Sequence, residues 1–308
     1  MPYEWENGRV ITESLEYSVA YHCNLRCANC SHLSPFVTKK FPSLESFISD
    51  LGALAEVVHA RVFRLLGGEP LLNPEINSFV AAAKRSGIAD RVMVTTNGLL
   101  LHRMDDTFWR SIDLVLVTVY PGISLERQLD EASDKAAKFD TELWLFPMNH
   151  FRTTIVTEPH PNDWLTSAIF MTCRDAQIFQ CNMIHEGYLY KCAVPPFLPD
   201  YLARLGKDGY EPRQDGFPIH GTRDSLRGLA DFLMSTETPE ACRYCLGYLG
   251  IDQNHRQLAA EEIATPSLLA ISREHDLDRD KLRKELFAFA TGNGRNAKRQ
   301  GSGAPTQI

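Results

Sequence analysis

The sequence predicts an α/β fold in which a parallel sheet fills the N-terminal half and a small α+β domain follows it. Two observations indicate this organisation of the chain. Short apolar strand patterns alternate with amphipathic helix patterns up to residue 146, and such βα units form parallel sheets. Cysteines then occur in two groups, one before residue 31 and one after residue 172. Grouped cysteines indicate metal ligation in both parts of the chain.

The strand and helix patterns follow one another in a regular order. Asn73, Pro74 and Gly87 give one helix a capping residue, a proline at its first position and a glycine at its end. The loops after the strands meet at the carboxyl edge of the sheet, where such folds bind ligands. Predicted strands cover residues 15–21, 62–66, 91–95, 114–120 and 142–146, and predicted helices cover residues 43–59, 73–87 and 124–139.

The pattern changes near residue 150. A hairpin is predicted to turn at His185, Glu186 and Gly187. The predicted elements are a loop at 150–163, hairpin strands at 177–183 and 188–191, an irregular region at 195–222, helices at 226–234 and 276–290, and a disordered tail at 291–308. The predicted domains are a core at 1–165, an auxiliary domain at 166–250, a helical segment at 251–290 and the tail.

Composition restricts the class of protein. The 308 residues are 44% hydrophobic and 23% charged, which is typical of a soluble globular chain. The net charge of −7 argues against nucleic acid as a partner. The lack of a long apolar run or signal peptide argues against a membrane and favours a cytoplasmic location. Eight cysteines in a reducing compartment then favour metal ligation over disulfides.

The first cysteine group is Cys23, Cys27 and Cys30, with C-x₃-C-x₂-C spacing. One short loop can place three thiolates around a [4Fe–4S] cluster, and the fourth iron then has no protein ligand. An open iron is a reaction site, as is the open position of a catalytic zinc. The spacing alone leaves an alternative, a zinc site completed by His22 or His32.

A second motif, Gly67-Gly68-Glu69-Pro70, ends the second predicted strand. In this order, the cysteine loop and the glycine motif resemble the radical S-adenosylmethionine (SAM) superfamily over roughly residues 15–150. The resemblance implies a partial (β/α)₆ TIM-like barrel and a [4Fe–4S] cluster whose open iron binds SAM and yields a 5′-deoxyadenosyl radical. It assigns the four motif residues to SAM binding. The glycines are expected to let the backbone approach the ligand, and Glu69 to accept from the ammonium of SAM.

Polar residues end the next two predicted strands and are further candidates for contacts to SAM or substrate. The alternative is that they are ordinary strand-end and turn residues. These residues are Thr95, Thr96, Asn97, Thr118 and Tyr120. One departure from the family pattern is Asn29, where an aromatic residue near the adenine is usual.

The second cysteine group comprises Cys173, Cys192, Cys242 and Cys245. Their order resembles the twitch domain, a shortened relative of the SPASM domain, and implies an auxiliary [4Fe–4S] cluster without an open iron. Such a cluster transfers electrons, and a structural Cys₄ zinc site is the alternative. Cys181 is left over. It is a buried free thiol, a catalytic hydrogen-atom donor, or a substitute for one of the four ligands.

These features predict a radical SAM oxidoreductase of natural product biosynthesis that acts on a sugar- or cyclitol-like small molecule. Length and cysteine layout resemble the 2-deoxy-scyllo-inosamine dehydrogenases, in which an auxiliary cluster accepts an electron from the substrate radical. The expected partners are the substrate and a reductant such as flavodoxin or ferredoxin. One alternative is an epimerase of the neomycin C type that uses Cys181. A ribosomal-peptide maturase is less favoured, because only about 20 residues precede the cysteine loop. A zinc-binding scaffold or regulatory protein is the non-enzymatic alternative.

Overall fold

A computed structural model describes residues 4–221, 228–265, 277–290 and 305–307. The strands are β1 Glu4–Glu6, β2 Arg9–Ala20, β3 Val58–Gly67, β4 Ala89–Thr96, β5 Leu114–Val119, β6 Glu142–Pro147, β7 His150–Arg152, β8 Asn182–His185, β9 Tyr188–Tyr190, β10 Gly216–Pro218, β11 Asp252–Asn254 and β12 Thr306–Gln307. The α-helices are α1 Leu44–Leu54, α2 Ile76–Ser86, α3 Asp106–Ser111, α4 Glu126–Phe139, α5 Asp163–Thr172, α6 Arg174–Gln177 and α7 Val194–Arg204, followed by Gly228–Met234, Ala260–Ala264 and Arg279–Ala290. Short 3₁₀ helices cover Pro70–Leu72, Leu101–Arg103, Pro212–Asp215, Glu240–Tyr244 and Gly247–Leu249.

A parallel sheet forms the centre of the molecule. Strands β2 to β6 lie side by side in chain order, and helices α1 to α4 connect them. The sixth parallel strand is β8, which pairs with β2 at the other edge of these five strands. Antiparallel β9 and β10 extend that edge, and β12 pairs with β6. The architecture is the predicted α/β fold, with the sheet curved as a partial TIM-like barrel.

The two faces of the sheet differ in chemistry. On β2, Leu15, Tyr17 and Val19 belong to the apolar core formed with the connecting helices, and the Tyr17 ring lies 4.6 Å from that of Phe47 on α1. Because side chains alternate across a strand, Glu16 and its polar neighbours on β2 face the opposite side. The half barrel therefore has an apolar outer layer and a polar inner face.

Two predicted helix boundaries were wrong. The helix predicted over 43–59 ends at Leu54, and Val58 already belongs to β3, where it pairs with Val10. The helix predicted from Asn73 begins at Ile76. The Asn73 side chain instead donates to the Val19 carbonyl at 2.7 Å and accepts from Glu75 N at 2.8 Å. Asn73 thus ties a turn to β2. Helix α2 does end at Gly87, whose φ of 64° is left-handed as predicted.

The region after residue 150 is more regular than predicted. The supposedly irregular residues 195–222 contain α7, β10 and a 3₁₀ turn. Helix α7 forms although Pro199 lies inside it, because Pro195 and Pro196 occupy its first turn. Its buried face is formed by Phe197, Leu198 and Leu202. The loop predicted at 150–163 contains β7, which pairs with β11. The hairpin strand predicted at 177–183 begins only at Asn182, so Cys181 precedes it.

The C-terminal predictions are met in part by the described residues. The predicted helices appear as Gly228–Met234 and Arg279–Ala290. The tail predicted as disordered includes β12, so that prediction was wrong for residues 306–307. The other parts of these predictions fall on residues that lie outside the described ones, namely 222–227, 266–276, 291–304 and 308. No helix in the described ranges is long and apolar enough to cross a membrane.

Candidate metal and cofactor site

The loop after β2 brings the first three cysteines together at the carboxyl edge of the sheet. Burial, with smaller effects from the neighbouring thiols, raises the pKa of Cys23 to about 12. It raises the pKa of Cys27 to about 11, and Cys30 adds to this effect. Thiols with such pKa values stay protonated until a metal displaces the proton. Because these thiols affect one another's pKa, they lie close together, as three thiolate ligands of one cluster must.

The shape of this loop explains Asn29. Asn29 lies between Cys27 and Cys30 with a φ of 60°, a left-handed conformation that Asn adopts more readily than bulky residues do. Leu33 N then donates to the Cys30 carbonyl at 2.9 Å, and Leu25 N lies 3.3 Å from Cys23 Sγ. The departure from the family pattern therefore has a local backbone cause.

The two glycines of the second motif lie directly against the end of β2. A Cβ on Gly67 would stand 2.2 Å from the Ala20 oxygen, and one on Gly68 would stand 2.1 Å from the His22 oxygen. Gly68 N donates to Ala20 O at 2.7 Å. The glycines are thus needed where two protein backbones meet, and the expectation that they let the backbone approach a ligand stays a prediction. Their contact with SAM, and that of Pro70, stays a prediction.

Glu69 joins three segments of the site. Its fully buried carboxylate accepts from the Thr96 hydroxyl at 2.6 Å, from Asn97 N at 2.8 Å and from Leu71 N at 3.0 Å. Burial raises the pKa of Glu69 to about 7, although these three hydrogen bonds lower it. A carboxylate has about four acceptor positions, so about one remains for an outside donor. The visible role of Glu69 is to fix the loop after β4, and acceptance from SAM stays a prediction.

The strand-end residues line the space beside the cysteine loop. Asn97 Nδ2 donates to Asn24 Oδ1 at 2.7 Å and lies 3.6 Å from Cys23 Sγ. Thr118 is buried near the end of β5. Burial and the three neighbouring thiols raise the pKa of Tyr120, whereas a hydrogen bond to Thr118 lowers it. By the alternation of β4, Thr95 belongs to the inner face.

A segment that the sequence analysis missed closes the outer side of the loop. Within residues 252–258, Arg256 O accepts from Ala28 N at 2.9 Å, and Leu258 N donates to Arg26 O at 2.7 Å. His255 Nε2 lies 3.3 Å and Gln257 Nε2 lies 3.4 Å from Cys27 Sγ. This polar stretch carries no motif, so only the tertiary structure places it here.

The second group of cysteines converges on one pocket. The 3₁₀ helix Glu240–Tyr244 carries Cys242, and Asp215 fixes the start of that helix by accepting from Glu240 N at 2.6 Å and Ala241 N at 2.8 Å. Burial raises the pKa of all four thiols, to about 12 for Cys245. The cysteines that line this pocket are Cys173, Cys192, Cys242 and Cys245.

The composition of the pocket agrees with a four-thiolate donor set in mainly apolar surroundings, among them Ile169 and Phe170. Within the described ranges, no three His, Cys, Asp or Glu side chains are arranged to hold a single metal ion. The fit to iron–sulfur clusters therefore rests on the pocket that the four later cysteines line and on the proximity of the three earlier ones.

Cys181 stands apart from this pocket, on the inner side of the half barrel. Its Sγ lies 3.9 Å from Arg64 Nη1, which also donates to Glu16 Oε1 at 3.1 Å. Gln180 anchors the segment by accepting from Glu13 N at 2.7 Å. Burial, followed by the negative charges of Glu16 and Asp175, raises the pKa of Cys181. The structure thus places a protonated thiol beside an ion pair whose carboxylate, Glu16, is buried.

Comparison with known proteins identifies the class. Residues 17–126, which include the first cysteine group and the glycine motif, match the family model of the Radical SAM superfamily. This match identifies residues 17–126 as a radical SAM domain. The domain implies one [4Fe–4S] cluster and SAM, whereas an auxiliary cluster stays a prediction.

Curated relatives share only this part of the chain. The GTP 3′,8-cyclase of Chlorobaculum tepidum is 39% identical over 100 residues, which are 32% of this chain and 29% of that protein. The GTP 3′,8-cyclase of Heliobacterium modesticaldum is 42% identical over 96 residues, which are 29% of this chain and 28% of that protein. The chain therefore spans less than a third of these relatives.

Similar solved structures cover more of the chain at low identity. One is BtrN in complex with AdoMet and 2-DOIA, with a TM-score of 0.43, 16% identity, and coverage of 77% of this chain and 94% of that one. Another is anSMEcpe with bound AdoMet, with a TM-score of 0.49, 12% identity, and coverage of 92% and 98%.

Proposed function

We propose that this radical SAM enzyme oxidises a hydroxyl-bearing carbon of a neutral, sugar- or cyclitol-like molecule. The observation that carries the proposal is the single pocket lined by four cysteines beyond the matched domain. Four thiolates would complete an auxiliary [4Fe–4S] cluster with no open iron, which suits electron transfer. In this proposal, Cys23, Cys27 and Cys30 hold the first cluster, and Gly67, Gly68, Glu69, Pro70, Thr96, Asn97, Thr118 and Tyr120 bind SAM.

The electrons of the proposed reaction balance. An external reductant such as flavodoxin or ferredoxin supplies one electron for SAM cleavage, and the resulting radical removes a hydrogen atom from the substrate carbon. Loss of the hydroxyl proton and one electron then gives a ketone, and the auxiliary cluster accepts that electron. Lys191 lines the auxiliary pocket. Burial lowers the pKa of Lys191 to about 8. A positive charge at this pocket would favour a reduced cluster, because reduction adds negative charge.

The inner face of the barrel supports a neutral polar substrate. Glu16 and Arg64 form an ion pair, and Arg64 keeps about a third of its side chain accessible, at 31%. Arg64 Nε is buried without a hydrogen-bond partner in the described part of the chain. Burial and the charge of Glu16 raise the pKa of Asp175, whereas Arg152 and Arg64 lower it. Charges of both signs therefore lie near Asp175. Such a balanced set suits uncharged hydroxyl groups, whereas a triphosphate favours a surplus of cations.

The second candidate is a cyclase that acts on a nucleotide, because the curated relatives are named GTP 3′,8-cyclases. Its support lies in the radical SAM domain alone, since the match covers about a third of this chain. The test is anaerobic turnover with SAM and dithionite, using GTP or a panel of deuterated sugars and aminocyclitols. We expect deuterium in 5′-deoxyadenosine and a ketone from a cyclitol or sugar. Turnover of GTP with no reaction of the panel would replace the proposal with the cyclase.

An epimerase is the alternative that the position of Cys181 supports, because its thiol lies beside Arg64 in the barrel interior. The change Cys181→Ala separates the two reactions. For a dehydrogenase, we expect ketone formation to change less than about threefold, because the thiol takes no part in the electron balance. Loss of an inverted product, while 5′-deoxyadenosine still forms, would instead assign Cys181 as hydrogen-atom donor.

A further inference from the structure

Gln257 is placed to act on the first cluster from outside the radical SAM domain. It lies in the segment of residues 252–258, beyond the matched residues 17–126. Strand β11 at the start of this segment pairs with β7, so that Asp252 lies opposite Arg152. The backbone bonds to Ala28 and Arg26 then hold its end against the cysteine loop. The segment therefore presents its side chains to Cys27 from a fixed backbone.

The amide of Gln257 has its orientation set by its surroundings. Its Oε1 accepts from Arg26 N, and its Nε2 lies 3.4 Å from Cys27 Sγ and 3.1 Å from His255 Nε2. The opposite orientation would direct the amide hydrogens at the N–H of Arg26, which is also a donor. The nitrogen of this amide must therefore face the sulfur.

His255 holds that amide in place. The Pro121 carbonyl makes a hydrogen bond with the His255 ring, which leaves Nε2 of a neutral ring as the acceptor for Gln257. The ring also stacks on Tyr120, with 4.8 Å between centroids and 20° between planes. Phe151 continues this group at 5.4 Å from His255. His255 Nε2 also lies 3.3 Å from Cys27 Sγ, but a ring nitrogen that accepts from Gln257 carries no hydrogen for the sulfur. His255 is thus a positioning residue, and Gln257 is the donor.

We propose that Gln257 donates a hydrogen bond to the Cys27 ligand of the first cluster and raises the reduction potential of that cluster. The inference rests on the first cluster of the proposed function. A hydrogen bond to a ligating sulfur stabilises the reduced cluster, because reduction adds negative charge to the sulfurs. The first cluster would then depend on a residue that lies outside its own cysteine loop.

The test is an EPR-monitored redox titration of the reconstituted full-length protein, without substrate. The followed signal is the one that changes when SAM is added, because SAM binds only an open iron. Gln257→Met should lower the ratio of reduced to oxidised cluster about fivefold at a fixed solution potential, the effect of one hydrogen bond. Gln257→Glu, which places an acceptor against the sulfur, should lower it further.

Two matched variants complete the design. His255→Phe keeps the ring beside Tyr120 but loses the acceptor, so it should shift the ratio in the same direction by less than Gln257→Met. Arg256→Gln is the control, because the Arg256 side chain bonds to Glu262 at 2.8 Å and not to the cluster loop. Its ratio should equal that of the wild type.

Three results would overturn the proposal. The first is an unchanged ratio in Gln257→Met with full iron content. The second is an equal shift of the ratio of reduced to oxidised cluster in Arg256→Gln. The third is failure of the Gln257 and His255 variants to load iron, which would mean that residues 252–258 only hold the cysteine loop in place. An absence of iron in the wild type would instead contradict the proposed function itself. The two failures are thus distinguishable.

Discussion

At the scale of single residues, the site depends on a few polar groups with several partners each. The carboxylate of Glu69 holds the ends of β3 and β4 together through Leu71, Thr96 and Asn97. The Asn97 amide continues the connection to Asn24 in the cysteine loop. Because each bond is buried, loss of one partner leaves another polar group unsatisfied. We therefore expect Glu69 to have a measurable effect on stability.

Glu69 predicts a specific dependence of stability on pH. Its pKa is about 7 in the folded protein, above the value of about 4.3 in unfolded chains. The folded state therefore holds this proton more tightly, and the stabilisation is present below pH 4 and lost as the pH rises to about 7. Over that window we expect a loss of about 3 kcal/mol from this group, at 1.4 kcal/mol per pKa unit.

Urea unfolding of the wild type and of Glu69→Gln across pH 4 to 8 measures this effect. The free energy of unfolding of the wild type should fall with pH more steeply than that of the variant, because Gln does not titrate. Parallel pH profiles for the two proteins would show that Glu69 titrates as an ordinary surface carboxylate.

At the scale of elements, the close approach of β2 and the motif after β3 builds the site. Gly68→Ala places a Cβ 2.1 Å from the His22 carbonyl oxygen, which is backbone and cannot move cheaply. We expect it to lower the free energy of unfolding by about 2–3 kcal/mol and to reduce SAM binding. Thermal unfolding and equilibrium dialysis with labelled SAM measure the two effects.

Gly52→Ala is the matched control for this substitution. Gly52 lies in α1 with nothing within 4 Å of an added Cβ, so alanine should stabilise the helix by about 0.5–1 kcal/mol. Equal effects of the two substitutions would mean that the approach of Gly68 to His22 contributes nothing to the site.

Sequence patterns predicted the elements whose side chains alternate in the usual way. Strands β4 and β5 agree with their predicted ranges to within two residues at each end, because buried Val92, Val94, Val115 and Val117 give them an apolar face. Strand β2 extends to Arg9, six residues before its predicted start. Its inner face is polar although it is buried, so the pattern over its first residues does not resemble a core strand.

Other parts of the candidate site depend on long-range contacts that no local pattern contains. Gln257 and His255 meet Cys27 across more than 220 residues of chain. Asp215 fixes the start of the helix that carries Cys242 from a region predicted to be irregular. The cysteine groups themselves were evident from spacing, because a cluster needs its ligands on short loops.

At the scale of the whole molecule, the polar interior of the half barrel connects the two cysteine sites. The first lies at the carboxyl end of β2, and the second begins at Cys173 between α5 and α6. Asp175 contributes to the pKa of both Cys173 and Cys181, so it lies near the auxiliary pocket and near the Glu16–Arg64 pair. A substrate in this interior would contact groups that belong to both parts of the chain.

The central claim is that the two cysteine groups hold two iron–sulfur clusters with different roles, and metal analysis tests it most directly. Anaerobically purified wild-type protein should contain about eight irons per chain, and either Cys23/Cys27/Cys30→Ala or Cys242/Cys245→Ala should contain about four. The first variant should form no 5′-deoxyadenosine from SAM, whereas the second should still form it. Zinc in place of iron at the second group, or only about four irons in the wild type, would contradict the claim.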